Sequence, residues 1–118
     1  MAETHHHISY VEIAAPDLDA AKAFYTAAFG WAFNEYGPEY AGIQAPGGDG
    51  EVGGLSAMAT PARGGVLVLL HSEDLAATQA AVEGAGGAVV QGPYEYPGGH
   101  RFHFTDPAGN ELGVFAHE

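Results

Sequence analysis

The chain has 118 residues and a net charge of −12, with 15 acidic residues against only three basic ones. This length predicts one domain, or two half-domains that share a core, and the acidity disfavours nucleic acid and anionic membranes as partners because both would be repelled. No cysteine is present, which excludes disulfides, thiolate metal sites and cysteine nucleophiles.

In chain order, the first strand is predicted at residues 8–14, which are rich in β-formers. Pro16 ends it, and Asp17 is placed to cap a helix that runs to Gly30. Strands are then expected at residues 31–33, 40–44 and 52–58, and residues 60–65 form a short linker.

The second half follows the same plan. We expect a strand at residues 66–71, a helix at 74–83 and a strand at 88–90. Residues 91–99 contain Pro93, Pro97 and several glycines, and this composition predicts a loop. Strands at 101–105 and 111–116 then form a hairpin across residues 106–110. The order β-α-β-β-β therefore occurs twice, which predicts an α+β fold with helices on one face of each sheet.

The two halves also resemble each other in sequence at an offset of 57 residues. Asp17 and Leu18 correspond to Asp74 and Leu75, and Gly30 corresponds to Gly87. Repetition at a fixed period indicates two similar structural units. The cleft at which they join is the first place to look for function. We therefore expect module 1 at residues 7–59 and module 2 at residues 66–117.

Alternation along the strands predicts which side chains face this cleft. The more uniformly apolar set in each strand should pack on the helix. The opposite set then supplies polar candidates among aliphatic and aromatic walls, a lining typical of sites for small organic ligands. These candidates are Glu12, His71, Arg101, His103 and Glu111. Arg101 is suited either to an anionic substrate group or to an ion pair with Glu12 or Glu111.

Two stretches carry a resemblance to a known family. One is Asp17-Leu18 with Ala23-Phe24-Tyr25 and Phe29-Gly30-Trp31, and the other is the segment from Phe104 to Asn110. With the paired units, these resemble the vicinal-oxygen-chelate superfamily, which includes glyoxalase I, bleomycin-resistance proteins and extradiol dioxygenases. The resemblance implies two paired β-α-β-β-β modules that form a cupped, partly closed barrel, usually in a homodimer.

The resemblance also assigns four metal-ligand positions, normally His or Glu. In this chain they fall on Tyr10, Ser56, Leu67 and Gly113, which offer neither an imidazole nor a carboxylate. No cofactor is therefore expected. A divalent metal remains an alternative if the site has shifted to Glu12, His71 and His103. His5-His6-His7 precedes the first strand and is interpreted as an exposed tail.

The sequence leaves several functions open. The first is a metal-independent binder of a small organic molecule, and the second is an enzyme that uses a shifted metal site or acid–base chemistry at His71, His103 or Glu12. A third is an accessory module that acts through its surface. Tyr94 and Tyr96 are candidates for a lid, while Trp31 and Phe33 favour the core or a dimer interface. The expected ligand-binding set is Tyr10, Glu12, Leu67, Leu69, His71, Tyr94, Tyr96, Arg101, His103, Glu111 and Phe115.

The location is expected to be the cytoplasm. The amino-terminal residues have neither the basic region nor the long apolar region of a signal peptide, and the longest apolar run, at residues 66–70, is too short to cross a bilayer. The expected partners are a small organic ligand and a second copy of the chain.

Overall fold

A computed structural model describes residues 5–117 and shows the repeated plan. The first unit contains β1 (Val11–Ala14), α1 (Leu18–Phe29), β2 (Phe33–Glu35), β3 (Tyr40–Gln44) and β4 (Glu51–Ser56). The second contains β5 (Leu69–His71), α2 (Leu75–Gly84), β6 (Ala88–Tyr96), β7 (Gly99–Thr105) and β8 (Glu111–Ala116).

The strands form two four-stranded mixed sheets, and within the described residues neither sheet closes into a barrel. Sheet A has the order β1-β4-β3-β2 and sheet B the order β5-β8-β7-β6. In each sheet the first strand pairs in parallel with the last, and the other pairs are antiparallel. The α+β prediction with two β-α-β-β-β units is confirmed.

Aspartate caps fix both helices at the predicted starts. The Asp17 carboxylate accepts the backbone N–H of Ala20 at 3.1 Å, and Asp74 accepts that of Ala77 at the same distance. Such bonds satisfy amide groups that the first helical turn leaves free. Gly30 ends α1 with φ +72°, a conformation that glycine adopts without steric cost.

The prediction of a loop at residues 91–99 is wrong. β6 continues to Tyr96, with register irregularities between Val89 and Gln91 and between Gln91 and Tyr94. β6 is an edge strand of sheet B, where a proline removes no ladder hydrogen bond on its outer side. The Gly92-Pro93 pair therefore interrupts the register of the strand without ending it.

Strand ends also differ from the sequence-based ranges. β1 begins at Val11 and β5 begins at Leu69. These are the residues at which the first strand of each unit starts to pair with the last strand of the same unit. β2 begins at Phe33, two residues later than expected. Trp31 instead stacks on Tyr25, with ring centroids 4.6 Å apart, so its expected place against the core is confirmed.

The two units share one hydrophobic core. Phe24 and Tyr25 of α1 are buried together with Val82 of α2 and with Phe102 and Phe104 of β7. The core thus covers the helix-facing side of both sheets. None of the helices within residues 5–117 is long and apolar enough to cross a membrane.

The turn before β8 joins the two units through hydrogen bonds. One oxygen of Asp106 accepts the backbone N–H groups of Ala108, Gly109 and Asn110, each at 3.0 Å. Its other oxygen accepts the Tyr25 hydroxyl at 2.7 Å, and the Asn110 side chain donates to the Ala14 carbonyl at 2.7 Å. The segment that carried the family resemblance therefore anchors the second unit to α1 and β1.

Candidate functional site

The side of each sheet opposite the helices, here called the open face, carries most of the predicted site residues. On β7, Phe102 and Phe104 point into the core, so the alternate residues Arg101 and His103 lie on the open face. On β8 the same alternation places Leu112 and Val114 in the core and Glu111 and Phe115 on the open face.

A chain of hydrogen bonds crosses the open face of sheet B. Arg101 Nε donates to the Tyr94 oxygen at 2.6 Å, and that oxygen lies 2.8 Å from His103 Nε2. His103 Nδ1 lies 2.8 Å from one oxygen of Glu111, and Arg63 Nε donates to the other at 3.0 Å. Five side chains from three strands and the linker are thereby linked in one row.

The chemistry of the donors fixes the direction of these bonds. Arginine can only donate, so the Tyr94 oxygen accepts from Arg101 and directs its own proton to His103 Nε2. His103 then carries its proton on Nδ1 and donates it to Glu111, which orients the imidazole. This arrangement can accept a proton at Nε2 and stabilise the resulting imidazolium with the carboxylate.

Glu111 is held as a carboxylate. The hydrogen bond from His103 lowers the pKa of Glu111 below its usual value, and Arg63 lowers it further, while partial burial opposes both effects. The ion pair of Glu111 is with Arg63 and not, as one alternative proposed, with Arg101.

The open face of sheet A carries a separate network of phenols and carboxylates. Tyr10 donates to Glu51 at 3.1 Å, Tyr40 donates to Glu12 at 3.0 Å, and the two phenolic oxygens lie 2.8 Å apart. Tyr10 and Tyr40 have one phenolic proton each, and these two protons are shared among three contacts: Tyr10–Glu51, Tyr40–Glu12 and Tyr10–Tyr40. Tyr36 donates to Glu51 at 2.5 Å. The Tyr10–Tyr40 pair retains free lone pairs that can accept a donor from a ligand.

The ionisation states on sheet A follow from these contacts. Burial raises the pKa of Tyr40, and the hydrogen bonds with Tyr10 and Glu12 raise it further. The hydrogen bond to Glu51 raises the pKa of Tyr36, and the same bond lowers the pKa of Glu51. At neutral pH the phenols therefore stay protonated beside charged Glu51. This part of the open face is negative and rich in acceptors.

A groove of about 340 Å³ lies between the two units. It is lined by β1, by the linker, by Val66 and Val68 just after the linker, and by the start of β8. Glu12 and Glu111 both contribute to its lining, one open-face carboxylate from each sheet. The two polar networks therefore approach each other along this groove.

The remaining predicted residues lie in other surroundings. The His71 ring has its centroid 5.3 Å from those of Phe115 and His117, outside the row that contains His103. Leu67 precedes β5, and Leu69 covers Gly113, where an added Cβ would lie 2.5 Å from the leucine side chain. Tyr94 and Tyr96 lie on β6 beside Arg101, so the expectation that they form a loop-borne lid is wrong.

The strand register corrects the assignment of equivalent positions in the two halves. Glu12 pairs with Gly54, and Leu69 pairs with Gly113. Glu12 and Leu69 are 57 residues apart, whereas Gly54 and Gly113 are 59 apart, because the two halves differ in length before the last strand. Gly54, and not Ser56, is therefore the counterpart of Gly113.

The donor set does not fit a metal ion. Tyr10, Gly54, Leu67 and Gly113 supply no imidazole or carboxylate, nor does Ser56, and Leu69 occupies the space beside Gly113. Among residues 5–117, no three His, Asp or Glu side chains are placed to hold one ion, so Glu12, His71 and His103 do not form the shifted site. A divalent ion needs several such ligands to replace its hydration shell.

Sequence reasoning missed part of the site. Parity applied to β3 would have found Tyr40, since Ala41 and Ile43 alternate into the core. Glu51 could not be found in this way, because the register between β3 and β4 shifts between Ile43 and Gln44. Arg63 lies in the linker, where no periodicity applies.

Comparisons with known proteins agree with this architecture. Residues 7–114 match the sequence model of the Glyoxalase/Bleomycin resistance protein/Dioxygenase superfamily. No curated protein shows significant sequence similarity. A glyoxalase-related enzyme from Fulvimarina pelagi is 21% identical with a TM-score of 0.78, over 94% of this chain and 88% of that one.

Two further solved structures are informative. A glyoxalase/bleomycin resistance protein/dioxygenase family enzyme from Burkholderia phytofirmans PsJN is 21% identical, with a TM-score of 0.76, and the match covers 94% of this chain and 98% of that one. TnmS3, an antibiotic-binding protein from Streptomyces sp. CB03234, is 27% identical with a TM-score of 0.72, and the match covers 100% of this chain and 99% of that chain. The Fulvimarina pelagi and Burkholderia phytofirmans proteins show the shared fold. TnmS3 matches this chain over its full length.

Proposed function

Because this chain belongs to the glyoxalase/bleomycin resistance protein/dioxygenase superfamily, we propose that it binds a small organic molecule on its open faces without the metal site of the family. The observation that carries the proposal is the array of aromatic and hydrogen-bonding side chains on both sheets. Tyr40 lies on β3 of sheet A, and Tyr10 and Tyr36 lie next to strands of that sheet. Tyr94 and Tyr96 lie on β6 of sheet B.

The surroundings of these tyrosines support a binding role. Tyr10 is 41% exposed and Tyr36 is 60% exposed. Removal of an aromatic ring from water is favourable, so a ligand that covers these rings is stabilised by the contact. A planar ligand would cover these rings and could bond to the free lone pairs of the phenols. The antibiotic-binding activity of TnmS3 supports the same class of function for this chain.

We further infer that residues 7–59 and 66–117 are the two modules of one domain, which acts in the cytoplasm as a homodimer. Ile8, Met58 and Val66 are 73 to 88% exposed, and a contact that removed these apolar side chains from water would be favourable. A second copy that covers them would also narrow the open faces into a pocket.

The experiment is an NMR titration of uniformly ¹⁵N-labelled protein with 2-naphthol, a neutral planar aromatic. We expect amide shifts concentrated on β3, β6 and β7, with little change on α1 and α2. Tyr94→Ala should weaken binding several-fold, whereas Gln79→Ala, on α2 behind the same sheet, should not. Shifts confined to the helices, or equal weakening by both variants, would contradict the proposal.

One observation favours a second candidate function, an acid–base enzyme of the same superfamily. In the Tyr94–His103–Glu111 row, His103 Nε2 carries no proton and accepts the Tyr94 hydroxyl. It can therefore take that proton, and Glu111 would stabilise the resulting imidazolium. This alternative predicts turnover of hemithioacetal or epoxide substrates that His103→Gln abolishes and Gln79→Ala preserves. Binding without turnover would favour the binder.

A further inference from the structure

Within the described part of the chain, Arg101 has no carboxylate partner, although the protein is strongly acidic. Among residues 5–117, Lys22 pairs with Glu35 at 2.9 Å and Arg63 pairs with Glu111 at 3.0 Å, but no carboxylate lies within ion-pair distance of Arg101. Acidic residues outnumber basic ones by 15 to three in this sequence. An unpaired, partly buried arginine in such a chain calls for a ligand that supplies the missing charge.

Two tyrosines hold the Arg101 guanidinium in place. Its central carbon lies 5.4 Å from the centroid of the Tyr94 ring and 4.9 Å from that of the Tyr96 ring. Contacts of this kind with aromatic faces are attractive and offset part of the cost of removing the cation from water. The rings therefore restrict its movement before any ligand arrives.

The hydrogen bonding of Arg101 leaves its binding edge available. Nε is committed to the Tyr94 oxygen at 2.6 Å, and the two terminal nitrogens have no hydrogen-bond partner within the described part of the chain. Those two nitrogens form the fork that binds planar anions through two parallel hydrogen bonds. The guanidinium is thus preorganised as one half of a bidentate pair.

We propose that Arg101 binds the carboxylate of an organic acid whose apolar part rests on the neighbouring tyrosine rings. The inference rests on the proposed function and specifies its ligand class. A carboxylate has the planar geometry and the single charge that one guanidinium can match. A phosphate dianion would leave excess negative charge near Glu111, which Tyr94 and His103 link to Arg101, in a chain of net charge −12.

Three probes that share one ring system test this proposal. 2-Naphthol, 2-naphthoate and 2-naphthyl phosphate are titrated into labelled protein, with the Arg101 side-chain Nε–H signal as the direct reporter. 2-Naphthoate is expected to bind about tenfold tighter than 2-naphthol and to shift that signal, since a charge-assisted bidentate contact contributes on this scale. 2-Naphthyl phosphate is expected to gain no comparable advantage.

Variants with equal charge separate a local contact from a general electrostatic effect. Arg101→Gln should remove the advantage of 2-naphthoate over 2-naphthol, whereas Lys22→Gln, which removes the same charge from α1, should retain it. Arg101→Lys keeps the charge and should lose most of the advantage. The wild-type Nε–H reporter tests the contact even if a variant at position 101 fails to fold.

The outcomes distinguish this inference from the function on which it rests. If 2-naphthol binds on the open face and 2-naphthoate binds no tighter, the carboxylate assignment fails and the binding function stands. If 2-naphthyl phosphate binds best through Arg101, the assignment to carboxylates is also overturned. If no probe binds, both proposals fail together.

Discussion

At the scale of single residues, Asp106 and Tyr25 connect the two halves of the chain. Both are buried, and their side chains form a hydrogen bond of 2.7 Å across 81 positions of sequence. The Asp106 carboxylate accepts five hydrogen bonds, three from the backbone of its turn and two from the side chains of Tyr25 and Asn110. A buried carboxylate is stable only with such compensation.

Substitution of Tyr25 by phenylalanine tests this connection. At neutral pH, Tyr25→Phe should lower the free energy of unfolding by about 1–3 kcal/mol, because it leaves a buried carboxylate oxygen with one partner fewer. Tyr36→Phe, at a ring that is 60% exposed, serves as the control and should cost less. Urea denaturation of the two variants and the wild type provides the comparison.

The same variant should change the response to alkaline pH. Burial and the nearby Asp106 carboxylate raise the pKa of Tyr25, so the folded protein keeps this proton when the unfolded chain loses it. Stability is therefore fully present below pH 10 and falls above it, by up to about 1.4 kcal/mol per pH unit for this group. Tyr25→Phe should fall less steeply between pH 10 and 11. Equal slopes in the two proteins would contradict this reasoning.

At the scale of elements, the pairing of first and last strands determines where each strand begins. β1 pairs with β4 in parallel, and Gly53 lies opposite Val11. A Cβ at Gly53 would overlap the Val11 carbonyl oxygen, which is backbone and cannot rotate away. The absence of a side chain at this position is thus a requirement of the β1–β4 contact.

Gly53→Ala should therefore destabilise the protein by about 2 kcal/mol or more, in the range of overpacked cores. Gly84→Ala is the matched control, since an added Cβ in the last turn of α2 meets nothing within 4 Å and should be neutral or stabilising by up to about 1 kcal/mol. Thermal unfolding of both variants gives the comparison. A neutral Gly53→Ala would show that β1 can shift away from β4.

At the scale of the whole molecule, one core with two open faces leaves apolar side chains on the surface. Ile8 is 88% exposed and Val66 is 81% exposed, and Val66 also lines the groove between the two units. The polar networks on both sheets are likewise open to solvent on one side. A second copy of the chain is the proposed cover for this surface.

Light scattering should accordingly give a mass of twice 12.2 kDa for the wild type. Val66→Glu should shift the population to a single chain, because a buried unpaired charge in an interface is costly. Ala80→Glu, on the exposed side of α2, adds the same charge elsewhere and should remain dimeric. A monomeric wild type, or equal dissociation of the two variants, would contradict the dimer.

The sequence by itself was sufficient for the order of elements, the two helix starts and the faces of β7 and β8. These features depend on local signals: Asp17 and Asp74 cap the helices next to them, and alternation on a strand separates Phe102 and Phe104 from Arg101 and His103. The family motifs pointed in the same direction, and the match over residues 7–114 agrees with them.

Only the tertiary structure decided the continuation of β6, the partners of each polar group and the equivalence of Gly54 with Gly113. Each depends on contacts between residues distant in sequence. Pro93 is tolerated because β6 is an edge strand, and Glu111 forms its ion pair with Arg63 of the linker. The register of β1 against β4 aligns Gly54 with Glu12. The sequence identified Arg101 as a cation facing the cleft. That it lacks a carboxylate partner among residues 5–117 depends on where the folded chain places every acidic side chain, which no local pattern determines.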